Sequence, residues 1–134
     1  MAELKQMLTD AQNRHLIISS IVLTSIAMAY GVMPNRLLPV LFDIKIETID
    51  LMHVFRAMMG LYFGIIGLFI LGIRKAEYWK MATLVNVVFM GGLACGRLLS
   101  IVVDGWPSPV FLMGLWVEIA FAMWGFRNLK KYVR

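Results

Sequence analysis

The chain has 134 residues, of which 60% are hydrophobic and 16% charged, and its mean hydropathy is +0.78. A soluble domain of this length could not cover so much apolar surface with so few charges, so the composition is that of one integral membrane unit. The net charge of +5 does not mark a nucleic-acid partner, because the Lys and Arg residues fall on one side of the apolar segments.

Residues 1–15 place Leu4, Met7, Leu8 and Ala11 at helical spacing, with Glu3, Lys5, Gln6 and Asp10 elsewhere around the turn. This pattern predicts an amphipathic helix lying in the membrane interface. The run 16–26 before Ala27-Met28-Ala29 resembles the core and cleavage site of a signal peptide. The segment ahead of it is long and partly acidic, so the first span is expected to be retained.

Apolar stretches at 16–33, 51–73, 81–103 and 109–126 predict four membrane-spanning helices, each near the ~20 residues a helix needs to cross the hydrocarbon core. Transmembrane barrels read as alternating segments of about 10 residues, and nothing here alternates in that way. The expected fold is therefore all-α: a four-helix transmembrane bundle with an interfacial N-terminal helix and a basic tail over 127–134.

Between the first two spans, Pro34 is read as ending the first helix, and 37–42 as a short apolar half-helix folded over the bundle. Thr48 or Asp50 then caps the second span. Ser108 followed by Pro109 supplies an N-cap and N1 pair for the fourth. Tyr30 and Trp106 on one side, and Tyr78, Trp79, Trp124 and Tyr132 on the other, match interfacial aromatic belts.

One side of the spans carries Lys5, Arg14, Arg74, Lys75, Lys80, Arg127, Lys130, Lys131 and Arg134, and the other only Arg36 and Lys45. That bias predicts both termini in the cytoplasm of a cell with an inner membrane. Gly60-x-x-x-Gly64 and Gly92-x-x-x-Gly96 are read as close-packing surfaces within the bundle rather than as dimerisation motifs. The single cysteine, Cys95, allows no internal disulfide.

Arg56, Arg97 and Glu118 lie inside the spans, where a charge costs about 2.5–3.5 kcal/mol unless it is paired or used. Counting helical rise from each outer end puts all three roughly 8–13 Å deep on the outer side. His53 lies near Arg56 and Asp50 near His53 on the same helix, while Asp104 ends the third span. Arg56, Arg97, Glu118, His53 and Asp104 are thus expected to converge as one polar site under the half-helix.

A structural salt bridge of Glu118 with Arg97 or Arg56 is one reading of that set. The excess of guanidinium over carboxylate supports another, a site for an anionic lipid or small anionic ligand. His53 oriented by Asp50 as a general base would make a small membrane enzyme, and Glu118 a transporter's carboxylate. Two arginines beside Glu118 would, however, hold it ionised and oppose proton exchange. Haem is disfavoured because His15 and His53 are most of a membrane apart, and His53 with Met52, Met58 and Met59 is a thin set for a metal. No cofactor is implied. Asn86, Ser19, Ser20, Thr24 and Ser25 are read as bonding between helices or to their own backbone.

The segments 38–44, 50–62, 91–100 and 104–109, including Asp50-Leu51-Met52-His53-Val54-Phe55-Arg56 and Asp104-Gly105-Trp106-Pro107-Ser108-Pro109, resemble a family of small bacterial four-helix membrane proteins of unknown function. The resemblance covers about 25–126. It implies that the set of His53, Arg56, Arg97, Asp104 and Glu118 is a family feature, and it brings no activity with it. The expected function is a non-enzymatic binding or accessory protein, partnered by lipid, by an anionic ligand, or by other copies or subunits in the membrane.

Overall fold

A computed structural model describes residues 10–132, and its elements are five helices. They are α1 (Arg14–Gly31), α2 (Pro34–Phe42), α3 (Ile49–Arg74), α4 (Ala76–Asp104) and α5 (Pro109–Tyr132). Four of them, all but α2, are long and apolar enough to cross a membrane, so the chain is a multi-pass membrane protein. The interfacial helix expected over 1–15 lies mostly outside the described residues; within them, 11–13 form a turn and α1 begins at Arg14.

Local chemistry sets the ends of the helices. Pro34 does not terminate α1 by itself: it opens α2 at N1, where its missing N–H removes no bond, and the Met33 carbonyl accepts from Arg36 and Leu37. Asp43 closes α2 in the left-handed region, at φ 56°. At the start of α3 the Thr48 hydroxyl accepts from the Leu51 N–H at 3.1 Å, with Asp50 in the first turn, where a negative charge favours the helix dipole. Lys75 alone separates α3 from α4. Gly105 reverses the chain between α4 and α5 at φ +98°, a conformation that glycine adopts without a side-chain clash. The α5 helix runs on to Tyr132, so the basic segment expected as a tail continues the fourth span, its cations at the helix end where the dipole favours them.

The helices pack in the order α1, α3, α4, α5, and a thinner contact between α1 and α5 closes the ring. α1 is the most buried member: 44% of its span window is buried, against 17%, 17% and 22% for α3, α4 and α5. This explains how α1 tolerates Ser19, Ser20 and Thr24. The Ser20 and Thr24 hydroxyls return to the carbonyls four residues back, each at 2.7 Å, and Ser19 accepts from Asn86 across to α4 at 2.9 Å. The other helices turn side chains such as Val54, Leu61, Leu84, Leu99 and Met123 outward, as a hydrocarbon solvent permits. α2 lies across one end of the bundle, with Leu38 fully buried beneath it and the Phe42 ring 6.0 Å from Tyr30 and 5.7 Å from Phe111.

The close helix contacts do not fall at the two GxxxG motifs. Gly60, Gly64, Gly92 and Gly96 have nothing within 4 Å of a would-be Cβ among the described residues, so the two GxxxG motifs face away from the bundle. The tight approaches are Gly31 against Met59, Gly72 against Ala82, and Gly125 against Val87 and Asn86. Tyr30 and Trp79 likewise leave the expected aromatic belts. Both are buried, and the Trp79 indole N–H donates to the Gln12 carbonyl at 3.3 Å.

Candidate functional site

The α4–α5 turn brings Arg97 opposite Glu118, because the two lie at similar distances from the reversal on antiparallel neighbours. The Arg97 Nε–H is shared between Oε1 and Oε2 of Glu118, at 2.9 Å to each. Glu118 is buried, while 26% of the Arg97 side chain is exposed. From this anchor the guanidinium runs away from Glu118 toward the α2 end. It lies 5.3 Å over the Phe111 ring, and its Nη2 fits beside Gly114, where a Cβ would stand 3.5 Å away.

Two tyrosines complete the arrangement. The Tyr30 and Tyr62 rings meet edge to face at 5.7 Å, and both border the same small cavity as Arg97 and Glu118. Tyr30, Tyr62, Arg97 and Glu118 come from α1, α3, α4 and α5 respectively, so each spanning helix supplies one member of a polar quartet. Sequence reasoning missed both tyrosines. Their signal was phase: Tyr62 shares a face with the buried Ile66 and Phe69.

The same phase places the other expected residues elsewhere. At 100° per residue, His53 points opposite Tyr62 and Arg56 about a third of a turn away from it. Asp50, His53 and Arg56 are all exposed, and neither His53 nor Arg56 lines a cavity described below. Among the described residues Arg56 forms no ion pair. The expected convergence is therefore corrected: Arg97 and Glu118 meet, and Arg56 and His53 stay on the outer face of α3. Rise along a helix says nothing of the direction of each side chain around α3, and that direction is what separates them.

Two spaces adjoin Arg97. A cleft of about 870 Å³ runs along the α4–α5 hairpin, bordered by Gly92, Gly96, Arg97, Ser100, Phe111 and, at its mouth, Asp104 with Trp106. Asp104 is two turns beyond Arg97 on one face of α4. A smaller cavity of about 220 Å³ lies between α1 and α5 and is bordered by Tyr30, Tyr62, Arg97 and Glu118. Arg97 and Phe111 belong to both walls. The larger space has the volume and largely apolar lining of a ligand cleft, with a few convergent polar groups.

A second buried polar group, not anticipated as a unit, sits toward the opposite end. His15 is fully buried, with Nδ1 2.8 Å from the Asn128 amide nitrogen and Nε2 3.2 Å from the Thr83 hydroxyl. Asn128 can only donate from that nitrogen, so Nδ1 is the acceptor and Nε2–H the donor to Thr83. Both ring nitrogens are thereby satisfied in the neutral imidazole. The group ties α1, α4 and α5 together and borders neither cavity.

No curated protein and no solved structure matches the chain. A family model matches residues 11–127, a stretch that contains the first three spanning helices, most of the fourth, the quartet, the cleft, and His15 with Thr83. The chain belongs to the family described as the domain of unknown function DUF4345.

Proposed function

We propose that the protein is a membrane-embedded binding protein whose α4–α5 cleft takes up an amphiphile from the bilayer. The apolar body lies along Gly92 and Gly96, and the head accepts hydrogen bonds from Arg97. The observation that carries this reading is the division of labour within one guanidinium. Glu118 holds the Nε edge, while the guanidinium lies over Phe111, and Arg97 and Phe111 both border an otherwise largely apolar cleft. A planar fork fixed in this way suits a phosphate or carboxylate. By the distribution of Lys and Arg, the α2 end and the cleft mouth face outward and both termini lie in the cytoplasm of an inner-membrane protein.

Mass spectrometry of the intact protein extracted in mild detergent tests this. Wild type is expected to carry lipid, and Gly96→Trp to lose it. The new ring enters space that nothing occupies within 4 Å of its Cβ and leaves the Arg97–Glu118 pair in place. Equal lipid retention by both proteins would refute the cleft as the site.

A second reading rests on the stripe of Gly60, Gly64 and Gly67 on α3, which is exposed and has no neighbour among the described residues. Small residues on a lipid-facing helix permit close helix association, so this face suits an accessory role in a larger assembly. Co-purification of another membrane polypeptide, lost in Gly64→Leu, is its expected sign. The enzyme or transporter reading has no such support: His53 borders neither of the two cavities described, and Glu118 borders only the smaller.

A further inference from the structure

We infer that the cleft selects a zwitterionic head, a phosphate joined to a primary ammonium, over a purely anionic one. This rests on the lipid-binding reading above and adds the chemistry of the head. With Arg56 on another face, the charged groups at the cleft are Arg97, Asp104 and, behind Arg97, Glu118. The cleft is thus bordered by one cation, Arg97, and one open carboxylate, Asp104, with Glu118 already held by the Arg97 Nε–H. A head bearing only negative charge would gain Arg97 and meet the Asp104 carboxylate. A head bearing both signs satisfies each end of the site.

The geometry matches that division. Asp104 is exposed at the mouth and forms no ion pair among the described residues, so its carboxylate is open to a cation. The two turns between Arg97 and Asp104 amount to roughly 10 Å of rise along α4. The Arg97 side chain shortens this gap, since it leans toward Phe111 and Gly114, which precede Glu118 on α5 and so lie nearer the mouth. Trp106 stands beside Asp104 with 82% of its surface exposed, and its face attracts an ammonium. The phosphate then lies on the Nη edge of Arg97, the ammonium on Asp104, and the acyl chains descend past Gly96 and Gly92. Asp104 also disfavours a free inorganic anion at the same place.

The test uses the full chain in nanodiscs containing phosphatidylethanolamine and phosphatidylglycerol with identical acyl chains, in equal amounts, read by mass spectrometry of the released protein. Wild type is expected to retain phosphatidylethanolamine about tenfold over phosphatidylglycerol, and Asp104→Asn to bring the ratio within about twofold while still carrying lipid. Asp104 is exposed, so this variant is expected to fold. Soluble phosphoethanolamine that displaces the lipid would identify a small zwitterion as the ligand; no displacement identifies the lipid. Equal retention of the two lipids by wild type, or a preference unchanged in Asp104→Asn, overturns the inference and leaves the cleft reading intact. A wild type that retains no lipid overturns both.

Discussion

The Arg97–Glu118 pair has two distinct energies, and they differ in size. Replacing both partners by apolar residues removes the desolvation penalty together with the attraction, and such exchanges are often close to neutral. Removing one partner strands the other's charge, at about 3–5 kcal/mol for a fully buried pair. Arg97 is 26% exposed along its side chain, so Glu118→Gln is expected to cost at or below the lower end of that range. The double variant Arg97→Met with Glu118→Leu should recover most of the loss. Thermal unfolding in detergent reads both. The His15 group obeys the same logic without charge. His15→Leu leaves Asn128 and Thr83 buried without their partner, at about 1–3 kcal/mol per orphaned group. Ser25→Ala removes a bond from an exposed hydroxyl to its own helix and should stay within about 0.5 kcal/mol of wild type.

Among the helices, glycine decides where two backbones can approach. A methyl group at Gly72 would collide with Ala82, and one at Gly125 would stand 2.8 Å from Val87 Cγ2 and 3.1 Å from Asn86 Oδ1. Overpacking of this kind costs about 1–3 kcal/mol, so Gly72→Ala and Gly125→Ala should each lower the melting temperature. Gly60→Ala and Gly92→Ala, which meet nothing within 4 Å among the described residues, should leave it unchanged. The contrast separates contacts that build the bundle from surfaces left for lipid or another helix. α2 acts at the same scale. Its short length cannot span, and the contacts of Phe42 with Tyr30 on α1 and Phe111 on α5 hold it over the end of the bundle that contains the quartet.

For the molecule as a whole, the apolar mantle and the charge distribution make separate statements. Exposed Val88, Leu99, Val102, Met113 and Trp116 form a surface that only a hydrocarbon solvent leaves without penalty. On the proposed topology Lys and Arg set direction within that solvent: in the sequence nine lie near the termini or the α3–α4 link and two between α1 and α3. Alkaline phosphatase fused after Tyr132 in a bacterial host is therefore expected to be inactive, and the same enzyme fused at Lys45 active. The reverse pattern would turn the cleft mouth toward the cytoplasm and contradict the outward-facing site.

The number of spans, the main turns and the level pairing of Arg97 with Glu118 across the α4–α5 hairpin follow from the chain alone. Run length against bilayer thickness, proline and glycine at the reversals, and 1.5 Å of rise per residue are one-dimensional quantities. What needed three dimensions was azimuth. A helix that is apolar all round carries little periodic signal to say which side faces its neighbours. For that reason His53 and Arg56, at a suitable depth, face away from Arg97, and Gly60 and Gly92 face outward while Gly72 and Gly125 take the close contacts. Tyr30 and Tyr62 came to share a cavity wall with Arg97, and His15 became the partner of Asn128, only because packing turned those faces inward.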